Sequence, residues 1–343
     1  IIKEIRAGYP KTAVVGFANQ CEKETLAELK RAGAADVALD SASKEEFQKM
    51  VVNAILARSA KVSENILAFV PAKGGSGSTT VALNAAVSLA EDWKKTVLVL
   101  ETDWHSGYSA TLLGLDPPES ILDALENSQF LNSGMWSRLV STVHGFDLLP
   151  MPSAKKDTLI SRWEYQRLLT FARSHYDLVI ADLPEVVNEA TEAIAVQASQ
   201  IHVVCTPDKA SLFLARRRID EIVFRGAPQA HVRVLLNQLW QPEPQDPKQL
   251  RAAKALAEQT MAGIEKFLER KVAATLPYDA SLRQRSISSP PLIDRASGLG
   301  RALCSFARGL AGVDAPLPVP PPPVEQKTGL MSLLRQRVLS QHT

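Results

Sequence analysis

Between residues 66 and 84 an apolar run, Ile66-Leu67-Ala68-Phe69-Val70, leads through Pro71-Ala72-Lys73-Gly74-Gly75-Ser76-Gly77-Ser78-Thr79-Thr80 into a helical pattern from Val81. Glycines at this spacing between a strand and a helix let successive backbone N–H groups close around a phosphate, and the helix N-terminus adds partial positive charge. An ordinary phosphate loop carries Lys immediately before its Ser/Thr. Here Ser78 holds that place, and the lysine stands at the front of the loop as Lys73. Two further apolar runs end in acids. Val97-Leu98-Val99-Leu100 leads into Glu101-Thr102-Asp103 with Gly107 soon after, and Leu178-Val179-Ile180-Ala181 leads into Asp182. A carboxylate at the end of a buried strand beside a phosphate loop is where a Mg²⁺ site is expected.

Those residues need a scaffold that brings strand ends together. Over 65–312 the sequence alternates candidate strands, at 66–70, 96–100, 146–151, 178–181, 201–205, 232–236 and 272–276, with helices such as 79–90, 164–175, 210–223 and 249–271. Several strands are continuous apolar runs, as strands buried on both faces must be. The fold class is therefore α/β with a parallel sheet covered on both sides. In such sheets ligands bind at the carboxyl ends of the strands. Asn237, after Val234-Leu235-Leu236, and Pro277-Tyr278-Asp279, after Leu276, fall at two more strand ends and join the candidate site.

A chain of 343 residues accommodates one large α/β domain and a smaller unit. Its 39 basic and 37 acidic side chains give a net charge of +2, no reason to expect nucleic acid as the main partner. On that ground Arg216-Arg217-Arg218 reads as a solvated helix face. The five tryptophans read as packing residues. Cys21, Cys205 and Cys304 are odd in number and far apart, which fits a reducing cytoplasm better than a disulfide framework. The six histidines form no metal-ligand spacing. No apolar run approaches bilayer-spanning length, and no signal-peptide pattern is present. The chain begins with Ile partway through what reads as a unit, and is expected to be a fragment.

The ordered set of Lys73 before paired glycines, Glu101-x-Asp103, the Asp182 strand, Asn237 and the Pro277-x-Asp279 loop resembles the MinD/ParA family of deviant phosphate-loop ATPases over residues 64–312. The resemblance implies ATP and Mg²⁺ as cofactors and a homodimer as the working form. It implies that Gly74, Gly75, Ser76 and Gly77, with the Ser78–Thr80 backbone, cradle phosphates, Thr80 at the α-phosphate. Thr79 would ligate Mg²⁺, Asp182 would hold a magnesium-bound water, and Asp103 would orient the attacking water. Lys73 would reach the phosphates of the opposite subunit, and Asn237, Pro277 and Asp279 would frame the adenine. Residues 1–60, with Leu29-Lys30-Arg31-Ala32-Gly33-Ala34-Ala35-Asp36-Val37 and Ser43-Lys44-Glu45-Glu46-Phe47, resemble the second half of a response-regulator receiver domain. Asp40 and Ser41 stand where that pattern has lysine, and the phosphoacceptor strand would lie upstream. Gly-Ser-Thr-Thr beside a receiver-like start resembles the CpaE/TadZ branch, which localises and assembles type IVb (Flp, tight adherence) pilus machinery.

Beyond a proline-rich linker at 313–325, residues 326–343 return to helical periodicity, with Leu330, Leu334 and Val338 on one stripe and no acid after Glu325. The segment is similar to the membrane-targeting helix that ends MinD proteins, and implies contact with the inner membrane or a complex at the cell pole. The alternative is a helix that docks on protein. The Ser78 replacement removes a charged hydrogen bond worth about 1.5–3 kcal/mol. The expectation is an ATP-binding assembly factor with weak or absent hydrolysis. Its rivals are an active MinD-like positioning ATPase, with Lys73 compensating, and an adaptor that binds no nucleotide.

Overall fold

The computed structural model describes residues 63–104, 107–152, 160–240, 247–285 and 293–312, and scattered positions between 2 and 50. The proline-rich linker and the terminal helix expected at 326–343 lie outside the described residues.

At the N-terminal end, β1 (Val15–Ala18) and β2 (Asp36–Leu39) pair in parallel, with Val15 opposite Asp36. Within the receiver-like segment, most of residues 24–32 and 44–58 lies outside the described residues.

The main body is built on eight strands: β3 (Ser63–Pro71), β4 (Val97–Glu101), β5 (Ser141–Val143), β6 (Phe146–Leu149), β7 (Leu178–Asp182), β8 (Ala198–Cys205), β9 (Val232–Leu239) and β10 (Val272–Pro277). They lie in the order β10-β9-β8-β3-β7-β4-β6-β5, parallel throughout except for the edge pair β5–β6. Each of the seven strands expected in this region is present; those expected at 66–70, 201–205 and 232–236 run three or four residues longer, and the one expected at 146–151 stops at Leu149. β5 is not foreshadowed, because Ser-Thr-Val is too short for a periodic signal.

The helices among the described residues are α1 (Ser78–Glu91), α2 (Ser109–Leu112), α3 (Ile121–Glu126), α4 (Ser133–Leu139), α5 (Arg162–His175), α6 (Glu189–Ala195), α7 (Lys209–Phe224), α8 (Pro247–Leu268), α9 (Ala280–Arg285) and α10 (Gly298–Ala311). They cover both faces. One core packs Leu125, Leu168, Ala193 and Ile219 of the helices against Ile66, Val179 and Val203 of the sheet. The other packs Leu83, Ala86, Leu303 and Ala307 of α1 and α10 against Leu67, Phe69, Val99 and Ile180. Strand residues alternate between the two cores, so β3, β4 and β7 are buried on both sides and read as unbroken apolar runs. In the second core His202 is 1% exposed, stacked on Phe69 at 5.2 Å and edge-on to Phe306 at 5.1 Å.

Candidate functional site

β3 lies at the centre of the sheet between β8 and β7, so the loop that follows it opens onto the carboxyl edge where β4, β7 and β9 also end. The register fixes the meeting point: Phe69 is opposite Asp182, and Glu101 is opposite Asp182 from the other side. A cavity of about 620 Å³ opens there. Its wall contains Gly74, Gly75, Ser76, Gly77, Ser78, Thr79, Thr80, Asp103, Asp182, Asn237, Pro277 and Asp279. Of the site residues expected from sequence, Lys73 alone stands outside this lining.

The glycine loop is held open from below and from the side. Gly77 adopts φ +86°, and a Cβ there would lie 2.5 Å from Asn237 Nδ2, so both conformation and space demand glycine. Asn237 donates its Nδ2 to the Ser76 carbonyl at 2.8 Å, and Gln238 donates Nε2 to the Gly75 carbonyl at 3.1 Å. Two carbonyls that would otherwise turn toward an anion are thereby tied back. The structure gives Asn237 the part of a strut, with its donor committed to the loop, beside the adenine contact expected from its position. Asp279 likewise accepts from the Ser281 amide at 2.9 Å and hydroxyl at 2.7 Å, capping α9 at the cavity rim.

At the foot of the loop, Thr79 Oγ1 donates to Asp182 Oδ2 at 2.7 Å. Asp182 is buried, and burial pushes its carboxyl up to about 7; the Thr79 hydroxyl and, more weakly, the Ser78 hydroxyl oppose the shift, and the Glu101 and Asp103 carboxylates add to it. Asp182 Oδ1 is buried beyond the reach of Thr79 and has no well-aligned hydrogen bond. The Thr79 hydroxyl and the Asp182 carboxylate it contacts are the hard oxygen donors that Mg²⁺ takes, and a buried carboxylate oxygen left over fits a site made for a ligand. The residues present therefore fit a phosphate–magnesium group.

Glu101 has a role that the sequence did not disclose. It is 2% exposed, and its two oxygens accept from the Ser109 amide at 2.7 Å and the Met151 amide at 2.9 Å. The glutamate stem spans two segments and fixes the loop that carries Asp103. Gly107 finishes that loop: a Cβ there would lie 2.6 Å from the Asp103 carbonyl and 2.7 Å from Met151 Cγ. Trp104, beside Asp103, donates Nε1 to the Tyr165 hydroxyl of α5 at 2.9 Å. Tyr108 and Glu185 also line the cavity and were not anticipated, because no sequence spacing relates them to the loop. Burial raises the Tyr108 phenol, and the Asp182 and Glu101 charges raise it further.

Lys73 Nζ lies 3.9 Å from Asp208 Oδ2, at the start of α7. Asp208 is held below the usual carboxylate range by the Thr206 hydroxyl and the Ser211 amide, with Lys73 adding to the effect. Of the arginine triplet on α7, Arg216 bonds the Phe267 carbonyl and Glu269, and Arg218 pairs with Glu221. Trp136 and Trp104 pack as expected, whereas Trp240 is exposed. Cys205 and Cys304 are free thiols. Among the described residues no cluster of His, Cys, Asp and Glu forms a metal site of its own, and no helix is long and apolar enough to cross a membrane.

A mostly parallel α/β sheet with a glycine loop after its central strand and acids at the neighbouring strand ends defines a phosphate-loop NTPase fold. Among solved structures, the ParA family ATPase from Chlorobium tepidum matches with a TM-score of 0.61 and 22% identity, over 71% of this chain and 98% of that one. MinD from Pyrococcus horikoshii, solved with Mg-ADP, matches with a TM-score of 0.56 and 17% identity over 72% and 95%. The fold is that of the MinD/ParA ATPases. Among curated proteins, the tyrosine-protein kinase wzc of Salmonella typhi is 27% identical over 137 residues, 39% of this chain and 18% of that protein. A ParA family protein of Chlamydia muridarum is 28% identical over 147 residues, 40% and 56% of the two chains. The match thus spans about a fifth of the kinase's length. No family model matches the chain.

Proposed function

We propose that this protein is an ATP-binding, dimer-forming localisation and assembly factor for a type IVb pilus or related secretion machinery, with weak or absent hydrolysis. The observation that carries the nucleotide reading is the Thr79–Asp182 contact at the foot of a braced glycine loop, with Asp103 in the same wall and Ser78 where an ammonium group is ordinary. The loop amides and the N-terminus of α1 bind phosphate; Thr79 and Asp182 hold magnesium, which when bound would neutralise phosphate charge. Asn237, Pro277 and Asp279 border the base. Asp103, in the same wall, would orient a water, and the missing cation leaves the transition state short of the positive charge that stabilises it. Binding survives and fast turnover does not.

The pilus branch is supported by the Gly-Ser-Thr-Thr loop and the receiver-like sequence of residues 1–60. Dimerisation would release Lys73 from Asp208 to serve the neighbouring subunit, and would bring two terminal helices together at a membrane or partner surface, where paired weak contacts reinforce one another. Sedimentation equilibrium with and without ATP and Mg²⁺ tests this: a shift to dimer with ATP is expected, lost in Lys73→Ala. An unchanged monomer in both conditions overturns it. The second reading, an active positioning ATPase with Lys73 compensating for Ser78, predicts steady phosphate release that Asp103→Ala abolishes.

A further inference from the structure

A second hollow, of about 650 Å³, lies along α5 and shares no residue with the cavity at the glycine loop. Its wall runs on α5 from Trp163 to Ser174 and is closed by Ser128, just beyond α3, and Gln197, just beyond α6. The described wall holds the cations Arg167 and Arg173 and no carboxylate. Its charge therefore favours an anion, and its size suits a small ligand.

Three kinds of side chain in this wall are unused by the protein itself. Neither guanidinium has a hydrogen bond or ion pair among the described residues. Gln166 is 9% exposed. Its backbone carbonyl takes the Thr170 hydroxyl at 2.8 Å, whereas its side-chain amide makes no hydrogen bond among the described residues. A nearly buried amide that the fold does not satisfy calls for a partner in the hollow. Trp163 is half-buried, yet its ring joins neither core and meets no other described aromatic ring. Phe171 on the same helix, by contrast, has its ring centroid 4.9 Å from that of Trp136 and 4.1 Å from that of His175.

Trp163, Gln166 and Arg167 stand at i, i+3 and i+4, so they neighbour one another on one face of α5. Arg173 lies about 15 Å along the helix axis from Trp163. An indole offers its face to a base, an amide reads a base edge, and guanidinium forks match phosphate oxygens in pairs. We propose that this hollow is a second nucleotide site, which takes a nucleoside phosphate with its base on Trp163 and Gln166 and its phosphate between Arg167 and Arg173. The wall has no acid to hold magnesium, so the site takes the metal-free ligand. It stands whether or not the glycine loop binds ATP.

The test titrates the full chain with AMP and with GMP in EDTA, which removes the magnesium that the glycine-loop site would use. Calorimetry is expected to show at least one of the two binding once per chain, with a dissociation constant on the order of 10–100 µM. Arg167→Gln and Arg173→Gln are each expected to weaken binding about ten-fold or more, and Trp163→Leu about five-fold or more. Stacking on the base is expected to quench indole emission. Trp163→Phe keeps a ring, so it is expected to retain most of the affinity and to lose the quench. All four variants are expected to melt within about 2 °C of wild type, because surface side chains of this kind contribute little to stability. No binding of either nucleotide by wild type at about 1 mM overturns the site. Binding that both arginine variants retain in full also overturns it, since the ligand then sits elsewhere, and the glycine loop is left untouched by that result. Inorganic phosphate that binds as tightly as either nucleotide overturns the base contact and the proposal with it.

Discussion

Asp182 carries opposing demands on one side chain. As a site residue it must meet a cation; as a buried acid without one, its carboxyl is pushed up to about 7 from 3.8. A carboxyl whose folded pKa lies above its unfolded value costs stability as pH rises from about 4 through 7, since the folded chain resists losing the proton. Asp182→Asn is therefore expected to stabilise the ligand-free protein by roughly 2–4 kcal/mol at pH 8 and by nothing at pH 4. Urea midpoints at the two pH values measure this. The same substitution is expected to remove the magnesium dependence of nucleotide binding. His202 shows the reverse case. Desolvation, aided by the Arg233 charge, lowers its imidazole to about 3, so it stays neutral in the fold while the unfolded chain protonates below pH 6.5. Stability is lost as pH falls from about 6.5 toward 3. His202→Phe, placing a ring between Phe69 and Phe306, is expected to recover about 2 kcal/mol at pH 5 and to change little at pH 8. Thermal melts across that range decide it.

Among the elements, the braces are what the sequence conceals. The glycine loop and the strand-end acids are local patterns, and each could be read from its own neighbours. Glu101 could not: its partners are the amides of Ser109 and Met151, and only the parallel placing of β4 beside β6 brings the latter near. Gln238 bonds Gly75 across 163 positions of sequence for a similar reason. Glu101→Gln replaces one acceptor by a donor facing a backbone N–H. It is expected to cost about 1–3 kcal/mol in stability and to loosen the Asp103 loop. Chemical denaturation measures the first effect, and faster exchange of the Ser109 amide with deuterium the second. Where apolar pattern alone sets an element, sequence and structure agree closely. The helix expected at 210–223 is Lys209–Phe224, and the strand expected at 178–181 is Leu178–Asp182. They part at β5, a three-residue edge strand held by its antiparallel neighbour and not by burial.

Across the whole molecule, the two cores share one sheet, so neither helical layer can form without the strands between them. α10 packs on α1, and the Ile293 amide bonds Asn84 Oδ1 while Asn84 Nδ2 holds the Thr80 carbonyl. The last helix of the body thus steadies the first turns of the helix beneath the loop. Deleting residues from 293 onward is expected to lower the melting temperature by well over 10 °C, since it uncovers Leu303 and Ala307 contacts across one face. Scanning calorimetry on the truncated chain checks this.

The cavity wall draws on residues 74–80, on Glu101, Asp103, Gly107 and Tyr108, on Asp182 and Glu185, and on 237–238 and 277–279, more than two hundred positions apart from first to last. A ribosome making this chain releases the glycine loop early and its two side-chain props only after most of the sheet has emerged. Nascent chains stalled before residue 237 should let labelled nucleotide wash away, and those extended past 312 should retain it. Occupancy would then certify a finished product, and half-made copies would stay silent in the cell.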